Sequence, residues 1–185
     1  TMKTMKLWRM VFLLLAAFSL YSCSNEPEWA DPEAHERTEQ LKKQYTPLIV
    51  GTWHYERIGE RQRYFERLDF KEDGKLTGMR KWQRRSLVTI DGKEQYTDWE
   101  DVELGGTFTG TWSLRYWAPD DGEKRNCLLL EADYEGDKNW ELGYAYSYVA
   151  NFSYADATTL CFQGYYVRDD DGWIHYKRGA AEPSF

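Results

Sequence analysis

Histidine is scarce in this chain. His35, His54 and His175 are the only three in 185 residues, and none has a second ligand at metal spacing. No metal centre and no cofactor is expected on that ground. His54 and His175 alternate opposite the apolar residues of their strands and read as exposed. Cysteine is equally scarce, with Cys127 and Cys161 the only thiols besides Cys23. Long apolar runs are missing too: Met10–Leu20, "MVFLLLAAFSL", has eleven residues where a membrane-spanning helix needs about 20. Positive charge is in deficit, with 24 Lys and Arg against 31 Asp and Glu. So acidic a chain repels phosphate backbones, and nucleic acid is not an expected partner. No nucleophile, acid–base pair or metal set forms a constellation, so no catalytic residue is assigned and no enzyme is expected. Asp169, Asp170 and Asp171 before Gly172 faintly suggest calcium, but the alternating ligands and distal Glu of a calcium loop are missing. They read as a solvated turn. Finally, there is no internal repeat: the two Gly-Thr-Trp stretches, at 51–53 and 110–112, have different neighbours and no common period.

What the N-terminus does have is an export pattern. Lys3, Lys6 and Arg9 precede the short apolar run, and "LYSC" at 20–23 follows it. Leu20, Ser22 and Cys23 resemble a bacterial lipobox, in which the cysteine is lipidated and becomes the first mature residue. Residues 1–22 are thus expected to be a lipoprotein signal peptide and Cys23 the lipidation site. Their loss removes three basic residues and no acid, taking the formal charge from −7 to −10. Several acyl chains, at about 0.8 kcal/mol per buried methylene, suffice to hold such a protein on a membrane. Residues 24–31, "SNEPEWAD", form a polar tether. Its Glu26 and Glu28 resemble the acidic signals that carry Bacteroidetes lipoproteins to the outer surface.

One helix is readable. Asp31 and Pro32 make an N-cap and first-turn pair, Glu33 and Glu36 sit early, and Lys42 and Lys43 sit late. The helix is expected to end near Gln44, before Thr46 and Pro47, and to serve as a lid or spacer. Residues 23–46 are therefore read as tether and helix, and 47–180 as the folded domain. From Leu48 the period is two. Trp53 and Tyr55 alternate with Thr52, His54 and Glu56; Leu68 and Phe70 alternate with Arg67, Asp69 and Lys71. "EDG" at 72–74 and Asp91-Gly92 are tight turns. Phe108, Gly110, Trp112 and Leu114 share one face, as do Tyr144, Tyr146, Tyr148, Ala150 and Phe152. Eight or nine short strands without intervening helices predict an antiparallel meander, closed as a barrel or folded as a sandwich. Gly51 and Gly110 precede Trp53 and Trp112 on the same face, where a missing side chain lets strands coil and gives the indoles room. Cys127 and Cys161 point outward on strands separated by a third. Two strand spacings are about 9.5 Å, beyond the roughly 7 Å limit for a bridge, so no disulfide is expected.

"IVGTWHYE", "LDFKEDGKLTG", "GTFTGTWSL", "LLLEADY" and "YVANFSYADATTLCF" occur in that order over residues 47–178. Together they resemble the lipocalin-like (calycin) domains of Bacteroidetes lipoproteins. That resemblance implies an all-β, eight-stranded antiparallel meander barrel with a short N-terminal helix. The departure from it is the charged insert between Trp82 and Gly105.

The resemblance and the aromatic content, 17% of the chain, point to binding. The expected partner is a small apolar or amphipathic ligand inside the barrel. Trp53, Arg80, Trp82, Trp112, Tyr144, Tyr146 and Tyr148 are the interior candidates, with Trp53 and Trp112 also serving as filling. Three successive phenols need partners for their hydroxyls, which a ligand would supply. An inward Arg80 would pair with a ligand carboxylate; the weightier competing reading is a bulge that turns it outward. A second expectation is a surface module that stacks glycans or a protein on exposed Tyr45, Trp99 and Trp117.

Overall fold

The computed structural model describes residues 30–102, 105–134, 145–164 and 167–185, with backbone alone at 133–134 and 145–147. The expected signal peptide at 1–22, Cys23 and most of the expected tether lie outside the described residues. Among those described, no helix is long and apolar enough to cross a membrane.

The protein is an eight-stranded antiparallel barrel, with one helix among the described residues. Helix α1 (Pro32–Ile49) leads into β1 (Gly51–Ile58), β2 (Gln62–Phe70) and β3 (Lys75–Arg84). A side arm follows, made of β4 (Leu87–Ile90), β5 (Lys93–Tyr96) and the two-residue β6 (Glu100–Asp101). The chain then completes the wall with β7 (Gly106–Arg115), β8 (Cys127–Tyr134), β9 (Ala145–Ala155), β10 (Thr159–Phe162) and β11 (Ile174–Arg178). Each wall strand pairs with the next, and β11 returns to β1, so the sheet has no open edge. The charged insert that interrupts the alternation is the β4–β5 hairpin, turning at Asp91 and Gly92 with φ of 53° and 74°. Both φ values are positive, as an Asn/Asp-Gly hairpin turn requires.

Alternation explains the interior. Trp53, Leu68, Phe70, Leu76, Leu114, Leu128, Leu160 and Phe162 are all buried and form one continuous core. Phe70 meets Trp112 edge to face at 5.3 Å, and the Trp112 indole N–H donates to the Lys71 carbonyl at 2.9 Å. The two glycines expected to make room for indoles do something else. A Cβ on Gly110 would lie 1.8 Å from the Glu131 carbonyl oxygen of β8, so it is the neighbouring backbone that needs the space. Gly51 holds φ 129° at the helix-to-strand corner, beneath the Arg178 guanidinium. The glycine that does accommodate a ring is Gly78, paired directly with Phe108 across β3 and β7.

Helix α1 is longer and more central than its sequence suggests. It starts as expected, with the Asp31 carboxylate accepting from the backbone N–H of Glu33 and Ala34 at 3.0 and 3.2 Å. It then runs through Pro47 to Ile49 instead of stopping near Gln44. Pro47 removes one helical hydrogen bond, but the last turn is held from outside. The Trp53 indole N–H donates to the Ile49 carbonyl at 2.7 Å, and Arg178 donates to the carbonyls of Leu48 and Val50. A cation at a helix C-terminus also meets the negative end of its dipole. Leu41 and Ile49 belong to the main core and Tyr45 packs edge-on against Phe152 at 4.9 Å. The helix is thus a plug at one end of the barrel, not a spacer.

The two cysteines are free, as the strand order requires, since β9 lies between β8 and β10. Both are buried. Cys127 faces outward yet packs with Ala118, Leu129 and Val149. Burial pushes both thiols up to about 11. The fold thus favours the neutral thiols: their contribution to stability is complete below the ordinary thiol pKa and is lost as pH rises toward 11. At pH 8 both thiols are expected to resist alkylation in the folded protein and to react promptly in denaturant, a contrast that a timed mass measurement reads directly.

Candidate functional site

The far half of the barrel, away from α1, is where the interior stops being apolar. On β2, Tyr64 and Glu66 continue the inward face of Leu68 and Phe70. On β3, Arg80 continues the face of Leu76. The register between these strands is unbroken from Gln62↔Arg84 to Phe70↔Leu76, and it sets Glu66 directly opposite Arg80. No bulge intervenes, so Arg80 points inward, against the reading that turned it out. Its side chain and that of Glu66 are each only 6% exposed.

The pair is tightly hydrogen-bonded. Arg80 donates to Glu66 Oε1 from Nε at 3.0 Å and from Nη2 at 2.6 Å, and Nε also donates to the Tyr64 hydroxyl at 3.0 Å. The other Glu66 oxygen accepts from the Tyr176 hydroxyl of β11. Tyr176 is fully buried, and burial followed by the Glu66 charge raises its phenol well above the usual value. It stays a neutral donor at any physiological pH. The Arg80 guanidinium further lies 5.9 Å from the Tyr64 ring centre and 5.8 Å from that of Phe108. Two buried charges are tolerated because each is matched and hydrogen-bonded; a lone one would not be.

Above this layer stands Tyr55, whose ring lies 6.2 Å from Tyr64 and 5.7 Å from Tyr176. Its hydroxyl donates to Asp169 Oδ1 at 2.8 Å. Burial raises the Tyr55 phenol, and the Asp169 hydrogen bond adds to it. Asp169 moves the other way. Burial alone would raise its carboxyl, but hydrogen bonds from His175 and Tyr55 outweigh that and hold it below the usual range.

The expected interior residues divide accordingly. Trp53 and Trp112 belong to the packed half near α1, and Trp53 is capped by Arg178, whose guanidinium sits 4.2 Å from the indole centre. Trp82 stands beside the polar layer, edge-on to Tyr64 at 6.0 Å. The Tyr148 hydroxyl donates to the Gln163 carbonyl, so the protein itself satisfies this phenol and no ligand is needed for it. Tyr144 and the Tyr146 side chain lie outside the described residues. Glu66, Tyr64, Tyr55 and Tyr176 went unrecognised as site residues, although Tyr64 and Glu66 could have been found by extending the Leu68–Phe70 alternation two steps back. Neither strand histidine is fully exposed: His54 is half-buried with Nδ1 2.8 Å from the Gly179 carbonyl, and half-buried His175 faces Asp169.

The aromatics expected on the surface are not free platforms. Trp117 is buried, Tyr45 packs against the core, and Trp99 lies between the guanidinium groups of Arg63 and Arg85, at 3.9 and 4.5 Å. Those contacts fasten the β4–β6 arm to the barrel wall. No family model, curated protein or solved structure matches this chain.

Proposed function

We propose that this chain is a lipid-anchored, lipocalin-like binding protein of the outer membrane. In this reading it holds a small amphipathic ligand in the half of the barrel remote from α1 and catalyses no reaction. Acyl chains on Cys23 attach it to the membrane, with the tether carrying the barrel clear of the lipid.

One observation carries the reading: the fixed polar layer of Tyr64, Glu66, Arg80 and Tyr176 inside an otherwise apolar barrel. A barrel interior that were only a core gains nothing from it, because well-packed apolar residues of similar volume are as stable or more so than a buried ion pair. A few convergent donors and acceptors beside apolar walls are instead what orients an amphipathic molecule. Glu66 also revises the ligand class. Arg80 is already neutralised, so the polar end of the ligand is neutral and not a carboxylate. Native mass spectrometry after incubation with a bacterial lipid extract tests this. A retained extra mass, lost on denaturation, is the expected result; a bare polypeptide mass would overturn it.

A further inference from the structure

We propose that Asp169, Asp171 and His175 form a binding site for a first-row divalent transition-metal ion at the end of the barrel opposite α1. One donor atom from each of the three lies within 4.8 Å of the other two. In sequence these residues read as a solvated turn and a strand histidine. The fold brings them together. The Gly172 N–H donates to the Asp169 carbonyl at 2.9 Å, and the Asp169 N–H donates to the Trp173 carbonyl at 2.7 Å. The turn so closed carries both carboxylates, and β11 begins immediately after it, placing His175 between them.

Each carboxylate has one oxygen tied down and the other turned to the imidazole. Asp169 Oδ1 accepts from Tyr55, which reaches out of the barrel and is independent of the turn. Its Oδ2 lies 3.0 Å from His175 Nδ1. Asp171 Oδ1 accepts from the Trp173 N–H at 3.0 Å, and its Oδ2 lies 3.7 Å from His175 Nε2. Donors that share one ion at about 2.0–2.2 Å stand roughly 3 Å apart. The Asp169–His175 edge already has that separation at Nδ1, the nitrogen that would bind the ion; Asp171, the most exposed of the three, faces Nε2 and would join by swinging to the Nδ1 side.

Charge points the same way. Among the described residues, the only cation paired with Asp169 or Asp171 is His175, whereas Arg57 pairs with Asp170 at 3.5 Å. Two carboxylates therefore face one imidazole, which neutralises at most half of their charge, whereas a divalent ion neutralises all of it. The donor set selects the ion class. Imidazole suits zinc, cobalt or nickel, while calcium and magnesium prefer all-oxygen sites. Three protein ligands leave further positions for water or another small donor.

The test is calorimetric titration of the full-length, chelator-treated chain in mild detergent with Zn²⁺, repeated with Co²⁺ by absorption. One saturable site per chain is expected. His175→Ala and Asp171→Asn should each weaken it by at least about tenfold, and Tyr55→Phe, which releases Asp169 Oδ1, by about tenfold or less. Asp120→Asn, in another acidic loop, should leave it unchanged. Circular dichroism of each variant confirms that the fold is retained; Asp171 is exposed and carries the test if His175→Ala does not fold. Absence of saturable binding, or a site that His175→Ala and Asp171→Asn do not move, would overturn the proposal. So would equal affinity for Ca²⁺.

Discussion

Replacing Arg80 with alanine is expected to destabilise the protein by about 3–5 kcal/mol, a large part of the roughly 5–15 kcal/mol that folds a typical domain. The loss comes less from the missing attraction than from what is left behind. Glu66 would be left 6% exposed and without its guanidinium. Tyr176 would remain to donate to it, and the Tyr64 hydroxyl would lose its bond from Arg80 Nε. With a urea m-value near 2 kcal/mol per molar, the unfolding midpoint should fall by about 2 M. Glu66→Leu combined with Arg80→Met removes both charges and should recover most of that loss, because the pair as a whole is worth little over apolar filling. A single-mutant loss below about 1 kcal/mol would mean that Arg80 reaches water instead of Glu66. The double variant should also fold yet fail to retain the amphipathic ligand, which separates the cost of the layer from its use.

Gly110→Ala should be about as damaging, for a steric reason. The new methyl would sit 1.8 Å from the Glu131 carbonyl oxygen and 2.8 Å from the Ala132 Cα, where no real contact is possible. Overpacking a well-filled interior ordinarily costs about 1–3 kcal/mol because side chains can shift. Here the obstacle is the backbone of β8, which is paired with β7 along its length, so the cost should reach or exceed the upper end of that range. Gly78 offers the internal comparison. Its added Cβ would strike chiefly the Phe108 ring, at 2.2 Å, with the Arg67 carbonyl at 2.9 Å. Gly78→Ala should therefore be partly rescued by Phe108→Leu, whereas no side-chain change near Gly110 should restore Gly110→Ala. Thermal unfolding of Gly110→Ala, Gly78→Ala, Phe108→Leu and the Gly78→Ala/Phe108→Leu pair decides it, and a Gly110→Ala variant as stable as the parent would show that β7 and β8 can separate there.

Several residues were placed correctly by alternation because a β-strand has a period of two and one buried face. Leu68, Phe70, Phe108, Trp112 and Leu114 fall inside as their spacing requires. The Asp91-Gly92 turn needed only its own two residues. The closing strand pair was beyond that reach, since nothing local to β1 or β11 states that Trp53 lies opposite Arg178. For the same reason Arg178 attracted no notice, though it holds α1, the 156–158 loop and the Trp53 ring together. Pro47 misled in the other direction. A proline normally marks a helix end through its missing N–H, yet here indole and guanidinium donors from the barrel hold the final turn.

The candidate sites divide along the same line. Which residues face inward is a property of each strand, so Tyr64, Glu66 and Arg80 were open to inspection in the sequence. Their pairing was not, because it depends on the β2–β3 register through a stretch where charges obscure the hydrophobic pattern. Asp169, Asp171 and His175 were still less accessible. Their spacing fits no helical or loop ligand pattern and acquires meaning only when a turn folds back on β11. What the sequence determined by itself was the local part: strand periodicity, Asp-Gly turns, the helix N-cap and the aromatic interior. What only the tertiary structure decided was which charge met which, because the Asp169–His175 contact, the Glu66–Arg80 pair, the Arg178 cap of α1 and the Tyr176–Glu66 bond join residues 6 to more than 100 positions apart. Contacts at such separations follow from barrel closure and register, to which local propensity is blind.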